Sequence, residues 1–161
     1  MTTGQFTPMI ENQSELMQAM DFLRHELPPG TRVFAAPAGR YALAARYYAL
    51  KPVVFCIKDR NAYAFSNHEK LLEWSQTLLR YEEAMSRTGD QEPLAGLVDL
   101  SRSLGAQVLF LDREATRIPY PGTDAKILFA NDSYFIIEVD SKSGSALSGR
   151  RSSIAFKDAP F

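Results

Sequence analysis

Thr31–Lys58 reads TRVFAAPAGRYALAARYYALKPVVFCIK, a strand, a helix and a second strand in succession. Arg32–Ala36 (RVFAA) is a short apolar run, and Ala38–Leu50 is rich in Ala, Leu, Arg and Tyr. Pro52–Ile57 (PVVFCI) is apolar and β-branched. Two strands joined by a helix are parallel, and the twist of strands makes such a crossover right-handed. The unit sets an α/β class and directs any search for chemistry to the carboxyl ends of its strands.

The flanks extend that pattern. Upstream, Asn12 and Glu15 form a cap pair for a helix over Gln13–Leu27, with Leu16, Met20, Leu23 and Leu27 on one face. His25 lies off that face and reads as an exposed helix residue. Pro28-Pro29-Gly30 stops the helix and turns the chain into the first strand. Downstream, KDRNAYAFSN reads as a polar connection, and Ser66 with Glu69 as a capping box for a helix over Asn67–Met85. Leu71, Leu72, Leu78 and Leu79 are that helix's apolar residues, with Trp74 and Tyr81 beside them. SRTGDQEP is a break. Pro93 then starts a helix to Leu104, Gly105 is its C′ residue, and Gln107–Leu111 (QVLFL) is a third buried strand. Asp112–Asp124 reads as a loop, and Lys126–Ala130 with Tyr134–Val139 as an antiparallel hairpin about Asn131-Asp132-Ser133.

The expected architecture is therefore a three-layer α/β/α domain with a mostly parallel, Rossmann-like sheet that ends in an antiparallel hairpin. Residues 1–11 are expected as a lead-in, 12–140 as one domain, and 141–161 as a Ser/Gly-rich flexible tail with a short apolar stretch at Ile154–Phe156.

Composition narrows the function classes. A chain of 161 residues can bury about 70% of its unfolded surface in one core. It is 45% hydrophobic and 23% charged, with a formal net charge of −1, so no single-sign field is present to draw nucleic acid. Cys56 is the sole cysteine and lies in an apolar run, which excludes an internal disulfide and reads as core. One cysteine and two distant histidines give no metal site of standard spacing. MTTGQFTPMIEN lacks the basic and apolar regions of a signal peptide, and no stretch approaches the roughly 20 apolar residues of a spanning helix.

Chemistry is sparse. Three strands end at Ala36–Arg40, at Lys58-Asp59-Arg60 and at Asp112-Arg113. If neighbours, they gather Arg40, Lys58, Arg60 and Arg113 around one rim with Asp59 and Asp112. Arg40, Lys58, Asp59 and Arg60 are the candidate ligand-binding residues, for a phosphate or carboxylate. Ala36–Gly39 holds one glycine, so it is neither a dinucleotide fingerprint nor a P-loop, and no cofactor is implied. The tail's Ser-Gly pairs lack the strand-to-helix setting of a nucleophile elbow. Glu69, Glu73, Glu82 and Glu83 read as a solvated helix face, His68 as a first-turn surface residue, and Trp74 as a helix–sheet contact. No catalytic residue stands out.

In order, PPGTRVFAAP, YALKPVVFCIKD, LLEWSQTLLRYEE, LVDLSRSLGAQVLFLD and ILFANDSYFIIEV resemble the soluble C-terminal domain of certain bacterial multi-pass membrane proteins of the GT-C glycosyltransferase type. The matching marks are Lys58 closing a strand, Glu73-Trp74 on a helix, Gly105-Ala106 before a strand, and Asn131 in a hairpin. Lys51 stands where that family carries an arginine. Its catalytic acids lie in loops of the membrane domain, so none transfers to this chain. The resemblance implies a non-catalytic accessory domain, extracytoplasmic if excised from a membrane protein. Its implied partner is a membrane protein or a lipid-linked or polymeric glycan. The alternative is a small α/β protein, a transferase or hydrolase among the options, that binds a phosphorylated or carboxylated ligand at the carboxyl ends of its strands.

Overall fold

A computed structural model describes residues 9–86, 93–122 and 125–139. It is α/β, with one open four-stranded mixed sheet. The elements are α1 (Met9–Glu26), β1 (Val33–Ala36), α2 (Arg40–Tyr47), α3 (Arg60–Ser66), α4 (His68–Ser86), α5 (Pro93–Ser103), β2 (Val108–Asp112), α6 (Arg113–Thr116), β3 (Ile127–Ala130) and β4 (Tyr134–Glu138). The break at SRTGDQEP falls largely, and the tail wholly, outside the described residues.

The strands lie in the order β1-β2-β4-β3. β1 and β2 are parallel, with Val33 opposite Val108, while β2–β4 and β3–β4 are antiparallel. The expected hairpin is present. The mostly parallel sheet is not, because Pro52–Ile57 is no strand. It touches β1 at a single parallel bridge, Val33 to Val53, made by the Val33 amide to the Pro52 carbonyl and the Val54 amide to the Val33 carbonyl. The chain then leaves β1, and the Ile57 amide bonds to the Ala38 carbonyl at 2.9 Å. A single 3-10 turn, Ile57–Asp59, follows and leads straight into α3, where the sequence suggested only a polar connection.

Strand alternation divides the core. Val33, Ala35, Val108, Phe110, Tyr134 and Ile136 pack with Met20 and Leu23 of α1 and with Tyr41, Ala42 and Ala45 of α2. Phe34, Ala36, Leu109, Leu111, Phe135 and Ile137 pack with Trp74 and Tyr81 of α4 and Leu97 and Leu100 of α5. Successive side chains point to opposite faces, so each face needs its own helical cover. On α4 the buried residues are Trp74, Tyr81 and Ala84, whereas Leu72 and Leu79 are exposed. Of the four leucines only Leu71 and Leu78 pack against the core; the aromatics carry the contact, as the reading of Trp74 expected, and Trp74 Nε1 also donates to the Cys56 carbonyl.

The local signals hold with small shifts. α1 begins at Met9, ahead of the Asn12 cap and inside the expected lead-in. Asn67 rather than Ser66 caps α4, its Oδ1 accepting the Lys70 amide, while Ser66 Oγ donates back to the Ala62 carbonyl. Gly105 takes φ +74° after α5, as its C′ position requires. In place of a loop after β2, Asp112 caps the short α6, its Oδ1 accepting the Glu114 and Ala115 amides at 3.0 Å.

Candidate functional site

The chain leaves β1 in one direction, through α2 to the Val53 bridge, and enters β2 on the other side of β1 after α3, α4 and α5. The carboxyl ends of β1 and β2 therefore flank a topological switch point, the usual ligand crevice of open α/β sheets. An open cleft of about 720 Å³ lies there, walled by the start of α2, by α6 and by the β3–β4 turn.

Its floor is a short polar chain. Tyr41 O–H donates to Asp112 Oδ2, and Arg40 Nη2 donates to the Tyr41 oxygen at 2.6 Å. Tyr41 is 3% exposed. Burial raises its hydroxyl above the ordinary tyrosine range, helped by its bonds with Asp112 and Tyr134 and opposed by Arg40. The Arg40 guanidinium is held in its charged form, first by the Tyr41 bond. Arg113 lies across the cleft, donating to the Asn131 carbonyl at 3.1 Å and the Pro119 carbonyl at 2.8 Å. The turn is fixed by Asn131 Oδ1, which accepts the Ser133 and Tyr134 amides, and by Ser133 Oγ, which donates to Glu15 of α1.

The four candidate residues do not meet in this cleft. Arg40 lines it together with Asp112 and Arg113. Asp59 instead forms a two-pronged pair with Arg46 at 2.8 and 2.9 Å. Lys58 and Arg60 are exposed on the 3-10 turn and α3, outside the cleft lining. Without a full second strand, the Lys58 end never joins the switch point. Tyr41, Tyr134, Ser133 and Arg117 are lining residues that the sequence did not single out. The Asn131-Asp132-Ser133 turn, expected from the sequence, forms one wall; Asp112 followed by Glu114 is a capping pattern that could have located another.

Other chemistry is limited. Cys56 is buried, and burial pushes its thiol up. Lys51 is buried, its ammonium donating to the Leu27 and Pro28 carbonyls at 2.7 Å each; desolvation lowers its pKa. Among the described residues no group of three His, Cys, Asp or Glu side chains could hold a metal ion, and no helix is long and apolar enough to cross a membrane. No protein-family model matches the chain, and no curated protein matches it either.

Proposed function

We propose that this chain is a non-catalytic accessory domain that works by contact, like the domain appended to glycosyltransferase-type membrane proteins. The observation that carries the reading is the outer surface of the α3–α4 layer. Phe65 is 92% exposed, and Leu72 and Leu79, seven residues apart on one face of α4, are also exposed. Three large apolar side chains left exposed on α3 and α4 favour a partner surface over bulk water. The polar groups at the switch point support the same reading: the Tyr41 hydroxyl is tied to Asp112 and Arg40, and Asp112 also accepts the Glu114 and Ala115 amides, so both serve the scaffold. The division of the core between α1–α2 and α4–α5 supports a three-layer, Rossmann-like scaffold in which the second parallel strand has shrunk to a bridge.

The test is binding of the purified domain to a detergent-solubilised polytopic glycosyltransferase-like protein, beside an assay of the domain alone on a polyprenyl-phosphate sugar. Saturable binding that is lost in Phe65→Ser/Leu72→Ser, with no turnover, is the expected result. Turnover by the isolated domain overturns the proposal, as does binding indifferent to both substitutions.

A further inference from the structure

The cleft carries a conclusion independent of that contact surface. Two of its walls each present an arginine pinned on an aromatic ring. Arg40 Cζ sits 4.6 Å from the centre of Tyr41, and Arg113 Cζ 4.8 Å from the centre of Phe135. Stacking and hydrogen bonding fix both guanidinia before any ligand arrives. Each has five N–H donors. Arg40 spends one on Tyr41, and Arg113 spends two on carbonyls, so both keep donors for a ligand. The carboxylate between them does not consume those donors. Asp112 accepts from the Tyr41 hydroxyl on one oxygen and from two amides of α6 on the other.

The remaining charges of the lining sort by position. Arg117 closes α6 with φ +58° and is exposed at the cleft, adding a third cation. Glu114 and Asp132 are exposed on the α6 and turn sides. Cations fixed for an oxyanion, with carboxylates on the rim, suit a ligand that is anionic at one end and rich in hydroxyl donors at the other. A volume of about 720 Å³ exceeds what a bare ion needs and falls within the range of small-molecule sites.

The geometry points to a binding site for a small phosphorylated polyol, its phosphate held by Arg40 and Arg113 and its hydroxyls donated to Glu114 and Asp132. Such a group can come from a free sugar phosphate or from a lipid headgroup. Calorimetric titration of the full chain with glucose 6-phosphate, glucose and inorganic phosphate, beside flotation with phosphatidylcholine vesicles containing phosphatidylinositol, tests the site and separates the sources. Glucose 6-phosphate or the phosphatidylinositol vesicles should bind, with inorganic phosphate weaker than the sugar phosphate and glucose weakest. Arg40→Gln should weaken binding roughly 10- to 150-fold, since a charge-assisted hydrogen bond contributes about 1.5–3 kcal/mol; Arg117→Gln, which removes the third cation but no bond assigned to the phosphate, should weaken it less, while Lys70→Gln leaves it unchanged. Arg40 and Arg117 are exposed, so both variants keep the core intact. No binding by either source overturns the inference. So does glucose matching glucose 6-phosphate, or binding that survives both arginine substitutions.

Discussion

Replacing Tyr41 by Phe removes one hydroxyl from the floor of the cleft and leaves the ring in place among Phe110 and Tyr134, whose centres lie 5.4 and 5.6 Å away. The lost bond runs from a neutral donor to a carboxylate, a class that contributes about 1.5–3 kcal/mol. Asp112 is half-exposed and water can take over part of its solvation, which places the expected loss near the lower bound, about 1.5–2 kcal/mol at neutral pH. For a chain of this size that is a fall in Tm of roughly 3–8 °C. The pH dependence supplies a second, independent reading. The Tyr41 hydroxyl is raised in the folded state, so below the ordinary value near 10 both folded and unfolded chains hold the proton. Above it the unfolded chain releases the proton while the folded chain keeps it, and stability falls as pH rises. Tyr81 and Cys56 are shifted in the same direction and contribute to this alkaline loss in both proteins. Tyr41→Phe should therefore be less stable than the parent at pH 7 and lose less stability between about pH 9 and 11. Urea melts across that range, followed with phenolate absorbance, measure both. Equal stability at pH 7 with parallel alkaline slopes would refute the burial and bonding assigned to this hydroxyl.

Three further outcomes can be checked on the same instruments. Tyr81→Phe removes the buried acceptor of the Ala38 amide, 3.1 Å away, and should cost about 1–3 kcal/mol while accelerating hydrogen exchange at Ala38; unchanged exchange would show that the bond does not hold this loop. Arg46→Lys breaks the two-pronged pair with Asp59, and since both side chains are partly exposed the loss in a urea melt should stay at or below about 1 kcal/mol. Lys51→Met recovers the cost of burying an ammonium but leaves the Leu27 carbonyl without that donor, while the Pro28 carbonyl keeps the Thr31 amide; the second effect should win by about 1 kcal/mol, and a variant as stable as the parent would show that water or repacking satisfies the carbonyl.

What the sequence made legible is what short-range chemistry controls. The apolar run at 108–111, the Gly105 stop and the Asn131 turn each depend on residues a few positions apart, and each lies where the pattern placed it. Pro52–Ile57 failed because an apolar, β-branched run reports burial, not pairing. Phe55 and Cys56 are indeed buried, on opposite faces of the core, and Cys56 keeps extended dihedrals. The segment thus has the burial of a strand, but it bends at Val54. Its pairing was decided elsewhere, by the Ala38 carbonyl that takes the Ile57 amide and by Trp74, whose indole takes the Cys56 carbonyl. Both partners lie at least 18 residues away in the chain.

The shortened strand also explains which part of the candidate site could be found in advance. The expectation that charge gathers where parallel strands end is physical, and it locates Arg40, Asp112 and Arg113 because β1 and β2 are parallel neighbours. It misplaces Lys58, Asp59 and Arg60 because Pro52–Ile57 forms no strand beyond the Val53 bridge, and Asp59 pairs with Arg46 at the end of α2 instead. Tyr41 escaped notice for a different reason. Its number next to Arg40 hides a role that exists only once Asp112, 71 residues on, is brought beside it. A tyrosine in a helix of alanines reads as packing, and it does pack; the same burial that makes it core is what desolvates its hydroxyl and commits it to Asp112, leaving most of the donors of Arg40 and Arg113 unspent.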